Sequence, residues 1–179
     1  DLQHRRLHDI LPVMCLTLAV NAIAMALAVH GELPLWQQIL PPLLIIATTL
    51  AVLVFVGLRP RSCDPCRAFR QLRNATLLAA GVGLVAGIWG VNAFREETAQ
   101  VAVVAPVFVA LTALVCASCL TCAPRAAIVG MIAALGPVVA AMVTYDSTAA
   151  RAMAVVLVLV VLLQSNVALA RFRETVRML

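Results

Sequence analysis

Charged residues are scarce in this chain. Asp, Glu, Lys and Arg make up 12% of its 179 residues, whereas about a quarter of the residues of a soluble globular protein are charged. Hydrophobic residues make up 64%, and the mean hydropathy is +1.05. So few charges cannot cover the surface of a water-soluble domain. A soluble globular protein is therefore excluded, and we expect an integral membrane protein.

Lysine is absent, and aromatic residues are few. All 13 basic residues are arginine, and Phe, Trp and Tyr together make up 4% of the chain. A protein that binds nucleic acid usually combines its basic patch with aromatic residues that stack on the bases. The net charge of +5 therefore does not indicate nucleic acid, and the expected partner is the lipid bilayer.

The residue types that carry most chemistry are also missing from the apolar segments. His4, His8 and His30 all lie outside the predicted helices, which excludes a haem held by two histidines inside a bundle. A proton pump or ion-coupled transporter normally needs an ionisable residue in mid-span, and none is present. No Ser/His/Asp set, carboxylate pair or phosphate loop falls in one place. We therefore predict no catalysis and no cofactor within this chain.

Six apolar runs have the length of about 20 residues that a helix needs to cross roughly 30 Å of hydrocarbon. They predict helices at 10–29, 39–58, 75–94, 99–120, 126–145 and 152–170. The predicted fold is thus an all-α bundle of six transmembrane helices. Its outer connections are short, so a stimulus would have to be sensed within the membrane or close to its outer face.

Arginine is concentrated on one side of the predicted spans. Eleven of the thirteen lie on the side of the two termini: Arg5, Arg6, Arg59, Arg61, Arg67, Arg70, Arg73, Arg125, Arg171, Arg173 and Arg177. The opposite side has Arg95 and Arg151, together with four acidic residues. By the positive-inside rule, both termini are cytoplasmic, as expected for a multi-pass protein of the bacterial inner membrane. Because the chain begins at Asp1, we expect it to be a fragment of a longer protein.

Small residues recur every four positions, or nearly so, in two of the predicted helices. The third carries Ala79, Gly83, Gly87 and Gly90, and the fifth carries Ala126, Gly130 and Ala134. Such rows let two helix backbones approach closely in lipid, where no hydrophobic force drives them together. We expect the third and fifth helices to lie at the centre of the bundle.

A heptad pattern continues from the sixth helix to the end of the chain. Leu162, Leu169, Phe172, Val176 and Leu179 are spaced by 7, 3, 4 and 3 residues, with Ser165 at the missing position. One interpretation is a signalling helix that leaves the membrane and transmits rotation or sliding to a domain beyond it. The other is an amphipathic tail on the inner leaflet, with its arginines against lipid phosphates.

Cysteine pairs occur near the predicted inner face. Cys63 and Cys66 form C-x-x-C within the stretch RSCDPCRAFRQLRN, and Cys119 and Cys122 repeat that spacing at the end of the fourth helix. Four thiolates at such spacings are the ligand set of a tetrahedral zinc site. The alternative, which we adopt, is that the stretch is an arginine-rich anchor that sets the topology, with no metal bound.

Polar and aromatic residues collect near the predicted outer face: His30, Trp36, Trp89, Asn92, Tyr145 and Asp146. They fit either an ordinary belt of membrane-interface residues or the rim of a shallow pocket for a small amphiphilic ligand. Deeper in the spans, the polar residues are Asn21, Gln164, Ser165 and Asn166. For these four we predict hydrogen bonds between helices.

The whole chain resembles the six-helix MASE-type sensor regions of bacterial cyclic-di-GMP signalling proteins. The resemblance consists of six short-looped helices, cytoplasmic termini and a last helix that runs on as RFRETVRML. It implies a homodimeric sensor that precedes a diguanylate cyclase (GGDEF), an EAL phosphodiesterase or a histidine kinase. Residues 1–170 would form the sensor, and residues 171–179 would begin the linker, with Leu169, Phe172, Val176 and Leu179 transmitting the signal. The alternative is a stand-alone transport or scaffold protein.

Overall fold

The fold is known from a computed structural model that describes residues 2–31, 33–57, 65–95, 99–120 and 124–177. These residues contain helices and no strand. The helices are α1 (Leu2–Ala28), α2 (Leu35–Gly57), α3 (Pro65–Arg95), α4 (Ala99–Cys119), α5 (Pro124–Thr144) and α6 (Thr148–Arg177). The prediction of an all-α fold with six helices is confirmed.

Three helices extend well beyond their predicted spans. α1 begins at Leu2 instead of residue 10, α3 begins at Pro65 instead of residue 75, and α6 ends at Arg177 instead of residue 170. Hydropathy marks only the part of a helix that matches the hydrocarbon, and arginine is a good helix former outside it. The prediction that no histidine lies in a helix is therefore wrong, because α1 includes His4 and His8.

Four helices contain segments that are long and apolar enough to cross a membrane. The segments are Leu35–Val54, Thr76–Arg95, Pro124–Thr144 and Thr148–Glu174, with 20, 20, 21 and 27 residues. The apolar parts of α1 and α4 whose side chains are described, Pro12–Ala28 and Val103–Ser118, are shorter. All six helices also expose large apolar side chains, such as Leu27 (71%) and Leu35 (73%). Such a surface is unfavourable in water and ordinary in lipid.

The helices are arranged around α3, α4 and α5, which all contact one another. α1 packs on α2 and α4, α2 packs on α1 and α3, and α6 packs on α5 and α4. The most extensive interface joins α3 to α5. α6 is peripheral: 17% of its apolar segment is buried, against 44% for the segments of α3 and α5.

The α3–α5 interface depends on residues without side chains. A Cβ atom at Gly83 would lie 2.5 Å from the carbonyl oxygen of Gly130, and one at Gly87 would lie 2.5 Å from that of Ala134. From the other side, a Cβ at Gly130 would lie 3.3 Å from the Cβ of Ala79. The two backbones are therefore in direct contact, and the predicted central position of α3 and α5 is confirmed.

Candidate functional site

A buried polar and aromatic cluster joins α1, α3 and α4. We call Asn21, Trp89, Phe108 and Thr112 the interhelix cluster. The Asn21 amide Nδ2 donates to the Thr112 hydroxyl Oγ1 (2.9 Å) and to the Phe108 carbonyl oxygen (3.3 Å). Thr112 Oγ1 in turn donates to the Phe108 carbonyl (3.0 Å). The ring of Trp89 meets that of Phe108 edge to face, with centroids 5.3 Å apart.

The interhelix cluster fixes α1 against α4 through polar contacts. Asn21 was predicted to bond between helices, and its bonds to α4 confirm this. Its partners were not predictable, because Thr112 is an ordinary helix residue until α1 is placed beside it. Thr112 is 2% exposed, so its hydroxyl has no access to water in place of Asn21. Hydrogen bonds of this kind in membranes contribute about 0.6 kcal/mol on average and up to about 1.7 kcal/mol.

Trp89 lies in the core, with 1% of its surface exposed. This burial corrects its predicted place near the outer face, in an interface belt or at the rim of a pocket. Its indole Nε1 is buried and has no acceptor among the described residues. A buried donor without a partner costs about 1–3 kcal/mol. The interhelix cluster therefore has one unused donor, which an acceptor brought by a ligand or by a different helix packing would satisfy.

The remaining rim residues fall into separate groups. His30 is exposed in the turn after α1, where Gly31 takes the left-handed backbone conformation (φ 87°) that ends the helix. Trp36, at the start of α2, is 63% exposed. Asn92 is half-buried in α3. Within the described residues, α2 contacts neither α5 nor α6. Trp36 therefore does not share a helix interface with Tyr145 and Asp146, which follow α5.

Tyr145 and Asp146 mark the connection between α5 and α6. The half-exposed Tyr145 ring meets the buried ring of Phe94 at the end of α3, with centroids 5.3 Å apart. Asp146 Oδ1 accepts a hydrogen bond from Arg151 Nη2 at 3.1 Å. Both charged side chains are well exposed, so the pair contributes little to stability. The pair links the connection to the first turn of α6.

An apolar groove runs between α5 and α6 near this connection. It is open on one side, has a volume of about 190 Å³, and is lined by Val139, Val143, Ala154, Val155, Val158 and Leu159. Ala154 forms its floor and is 2% exposed. Arg151 lies one turn before Val155 on the same side of α6. The groove can take an alkyl chain or another apolar group, but its lining offers no group that does chemistry.

The cysteines divide into described and undescribed positions. Cys15 and Cys116 are buried, and the Cys15 thiol donates to the carbonyl oxygen of Thr49 (3.5 Å), which links α1 to α2. Cys63 and Cys122 lie outside the described residues, as do the side chains of Cys66 and Cys119. The four-cysteine zinc alternative therefore stays untested. In the described part of the chain, no three His, Cys, Asp or Glu residues are grouped to hold a metal.

The predicted transmission segment is helical as far as Arg177. Leu169 is 38% exposed and Phe172 is half-buried. The side chain of Val176 and all of Leu179 lie outside the described residues. The heptad positions are thus partly exposed, and no helix in the described part of the chain covers Leu169 fully.

Comparison with family models, with curated proteins and with solved structures gives no match for this chain. The functional assignment therefore depends on the residues and the geometry described above.

Proposed function

We propose that this chain is the membrane-embedded input domain of a bacterial signalling protein. It crosses the inner membrane six times, keeps both termini in the cytoplasm and works as a homodimer. Its output is a diguanylate cyclase, a cyclic-di-GMP phosphodiesterase or a histidine kinase that follows α6. Support for the orientation comes from four exposed arginines, one in α3, one in α5 and two in α6: Arg73, Arg125, Arg171 and Arg173.

The observation that carries the proposal is the length and placement of α6. It runs from Thr148 to Arg177 as one helix of 30 residues, which is about 45 Å at 1.5 Å per residue. The hydrocarbon is roughly 30 Å thick, so α6 extends past it without a break. Because α6 contacts only α5 and α4 within the described chain, it can shift without disrupting the α3–α5 centre.

The α5–α6 groove supplies the coupling in this proposal. Four of its six lining residues belong to α6, the helix that leaves the membrane: Ala154, Val155, Val158 and Leu159. A small amphiphile with an apolar tail in the groove changes the packing of α6 on α5. Such a ligand shifts the output only if it binds one packing state more tightly than the other. Arg151, one turn before Val155 on the same side of α6, would attract an anionic head group in competition with its partner Asp146.

A fusion protein tests the proposal without knowledge of the natural ligand. A diguanylate cyclase domain is joined after Leu179, and Val158→Trp fills the groove in place of a ligand. We expect the cyclic-di-GMP level to change in this variant. Leu27→Trp, on the exposed face of α1, serves as the control and leaves the level unchanged.

A second variant tests transmission through α6. A proline inserted between Arg171 and Arg177 interrupts the helix. The cyclic-di-GMP level should then be the same with the natural groove and with the groove filled by Val158→Trp. If the Val158→Trp effect survives the proline, α6 does not transmit the signal. If Val158→Trp does not change the output, a transport or scaffold role replaces the sensor role.

A further inference from the structure

An exposed face of α6 carries a regular stripe. Val155, Leu159, Leu162 and Leu169 are 60%, 58%, 54% and 38% exposed, and Asn166 between the last two is also exposed. The five residues follow one another at spacings of 4, 3, 4 and 3, the heptad pattern of a helix that packs on another helix. We call these five residues the outer stripe. The buried residues of α6 are Ala150, Ala154, Leu157 and Ala168, and none of them belongs to the outer stripe.

Asn166 is the unexpected member of the outer stripe. Within the described residues its amide makes one hydrogen bond, from Nδ2 to the carbonyl oxygen of Leu162 in its own helix (2.9 Å). Among the described residues, the Oδ1 acceptor and the second N–H have no partner. Asn166 precedes Arg171 by five residues, or about 7.5 Å along the helix, and lies inside the apolar segment Thr148–Glu174. Lipid tails have no polar atoms, so an unpaired amide is costly there.

We propose that the outer stripe binds the outer stripe of a second copy of this chain, with the two Asn166 amides hydrogen-bonded to each other. All copies enter the membrane in the same orientation. Two α6 helices therefore meet in parallel, and residues at equal depth face one another across the two-fold axis. An amide is both donor and acceptor, so Asn166 is complementary to itself. A single Asn at an a position is a known means of setting register and limiting a parallel coiled coil to two strands.

This dimer rests on the proposed function and locates the homodimer contact within it. Val155 and Leu159 belong both to the outer stripe and to the lining of the α5–α6 groove. A molecule in the groove would therefore touch residues that also touch the partner. Arg173 occupies the next position of the stripe, where side chains reach water, so the close contact ends near Leu169.

Association in lipid vesicles tests the role of the amide. Two populations of the full chain, labelled with donor and acceptor dyes, report dimerisation by energy transfer as the lipid-to-protein ratio rises. Asn166→Leu should raise the dissociation constant about 3- to 20-fold, the range expected for hydrogen bonds between membrane helices. Asn166→Gln, which keeps an amide, should retain most of the association. Equal affinity of the Leu variant and the natural chain would overturn the proposal.

Disulfide cross-linking tests the geometry separately. Cysteine is introduced at Leu159 or Leu162 on the outer stripe, and at Val156 or Leu163 as controls. The control residues are 56% and 63% exposed but lie off the stripe. Oxidation should join two copies through the stripe positions well above the level seen with the natural chain and with the controls. Equal cross-linking at all four positions indicates random collisions and contradicts the dimer.

The two proposals fail in different ways. Neither association nor cross-linking involves an output domain, so a negative result here leaves the sensor proposal standing with another contact. A dimer through Asn166 combined with an unresponsive cyclase fusion would retain this inference and remove the sensor function.

Discussion

Substitution of one glycine in α3 should separate the two central helices. In Gly87→Ala, the added Cβ would lie 2.5 Å from the carbonyl oxygen of Ala134 and 3.0 Å from that of Ala133. Both are backbone atoms, which cannot rotate out of the way. To restore a normal contact of about 3.5 Å, the helices must move apart by roughly 1 Å.

The expected cost follows from the loss of packing along the whole α3–α5 interface. Overpacking by one methyl group in a well-packed interior costs about 1–3 kcal/mol. Alanine also stabilises a helix by about 1 kcal/mol relative to glycine, and this gain offsets part of the steric cost of Gly87→Ala. Gly81→Ala is the matched control, because it is in the same helix and its Cβ would meet nothing within 4 Å. The helix-propensity gain is similar in both variants, so their difference isolates the steric term.

The assay is reversible unfolding of the purified chain in mixed micelles as the fraction of SDS is increased. Trp89 is buried in the core, so its fluorescence should report the loss of helix packing, while circular dichroism follows the helices. We expect Gly87→Ala to be less stable than Gly81→Ala by about 1–3 kcal/mol. Equal stability of the two variants would refute the direct backbone contact between α3 and α5.

Other substitutions test the interhelix cluster and the Asp146–Arg151 ion pair in the same assay. Asn21→Leu should lower the free energy of unfolding by about 0.6–1.7 kcal/mol. The double variant with Thr112→Val should lower it by less than the sum of the two single changes, because the two residues share one hydrogen bond. Additive losses of stability would contradict that bond. Trp89→Phe should cost less than the roughly 3–5 kcal/mol of a Trp→Ala change in a core, because Phe keeps most of the aromatic volume and the lost indole N–H has no acceptor among the described residues; a cost within that range would contradict an unpaired N–H. Arg151→Ala should leave the unfolding midpoint unchanged, since its partner Asp146 is exposed; a clear shift would show that the pair is structural.

Hydropathy predicted the number and the approximate positions of the helices, but not their full lengths. The bilayer requires apolar segments of about 20 residues, and each of the six segments that hydropathy detects corresponds to one helix. The first turns of α3 and the last turns of α6 are polar and arginine-rich, and they extend the same helices beyond those segments. After Pro65, which suits the first position of a helix, neither segment contains proline or glycine, so both are compatible with a helix although hydropathy does not mark them.

Residue pairings were harder to predict than helices. Trp89 near the end of a predicted span looked like an interface residue, yet it is buried. The belt rule applies to helices that face lipid, whereas α3 has neighbours on several sides: α2, α4 and α5. The glycine row that predicted a central α3 was therefore also the signal that its tryptophan would be buried. The α5–α6 groove had no such signal, because it depends on how Ala154 lies between larger side chains on both helices.

The most direct test of the account is a phase scan of α6 in the cyclase fusion. One to seven alanines are inserted after Phe172, and the cyclic-di-GMP level is measured for each. Each added residue rotates the output by about 100° relative to the membrane bundle, and seven residues restore almost the original phase. We predict an output that changes with the insertion and returns at seven residues. An output that does not depend on the number of inserted residues would contradict transmission through α6.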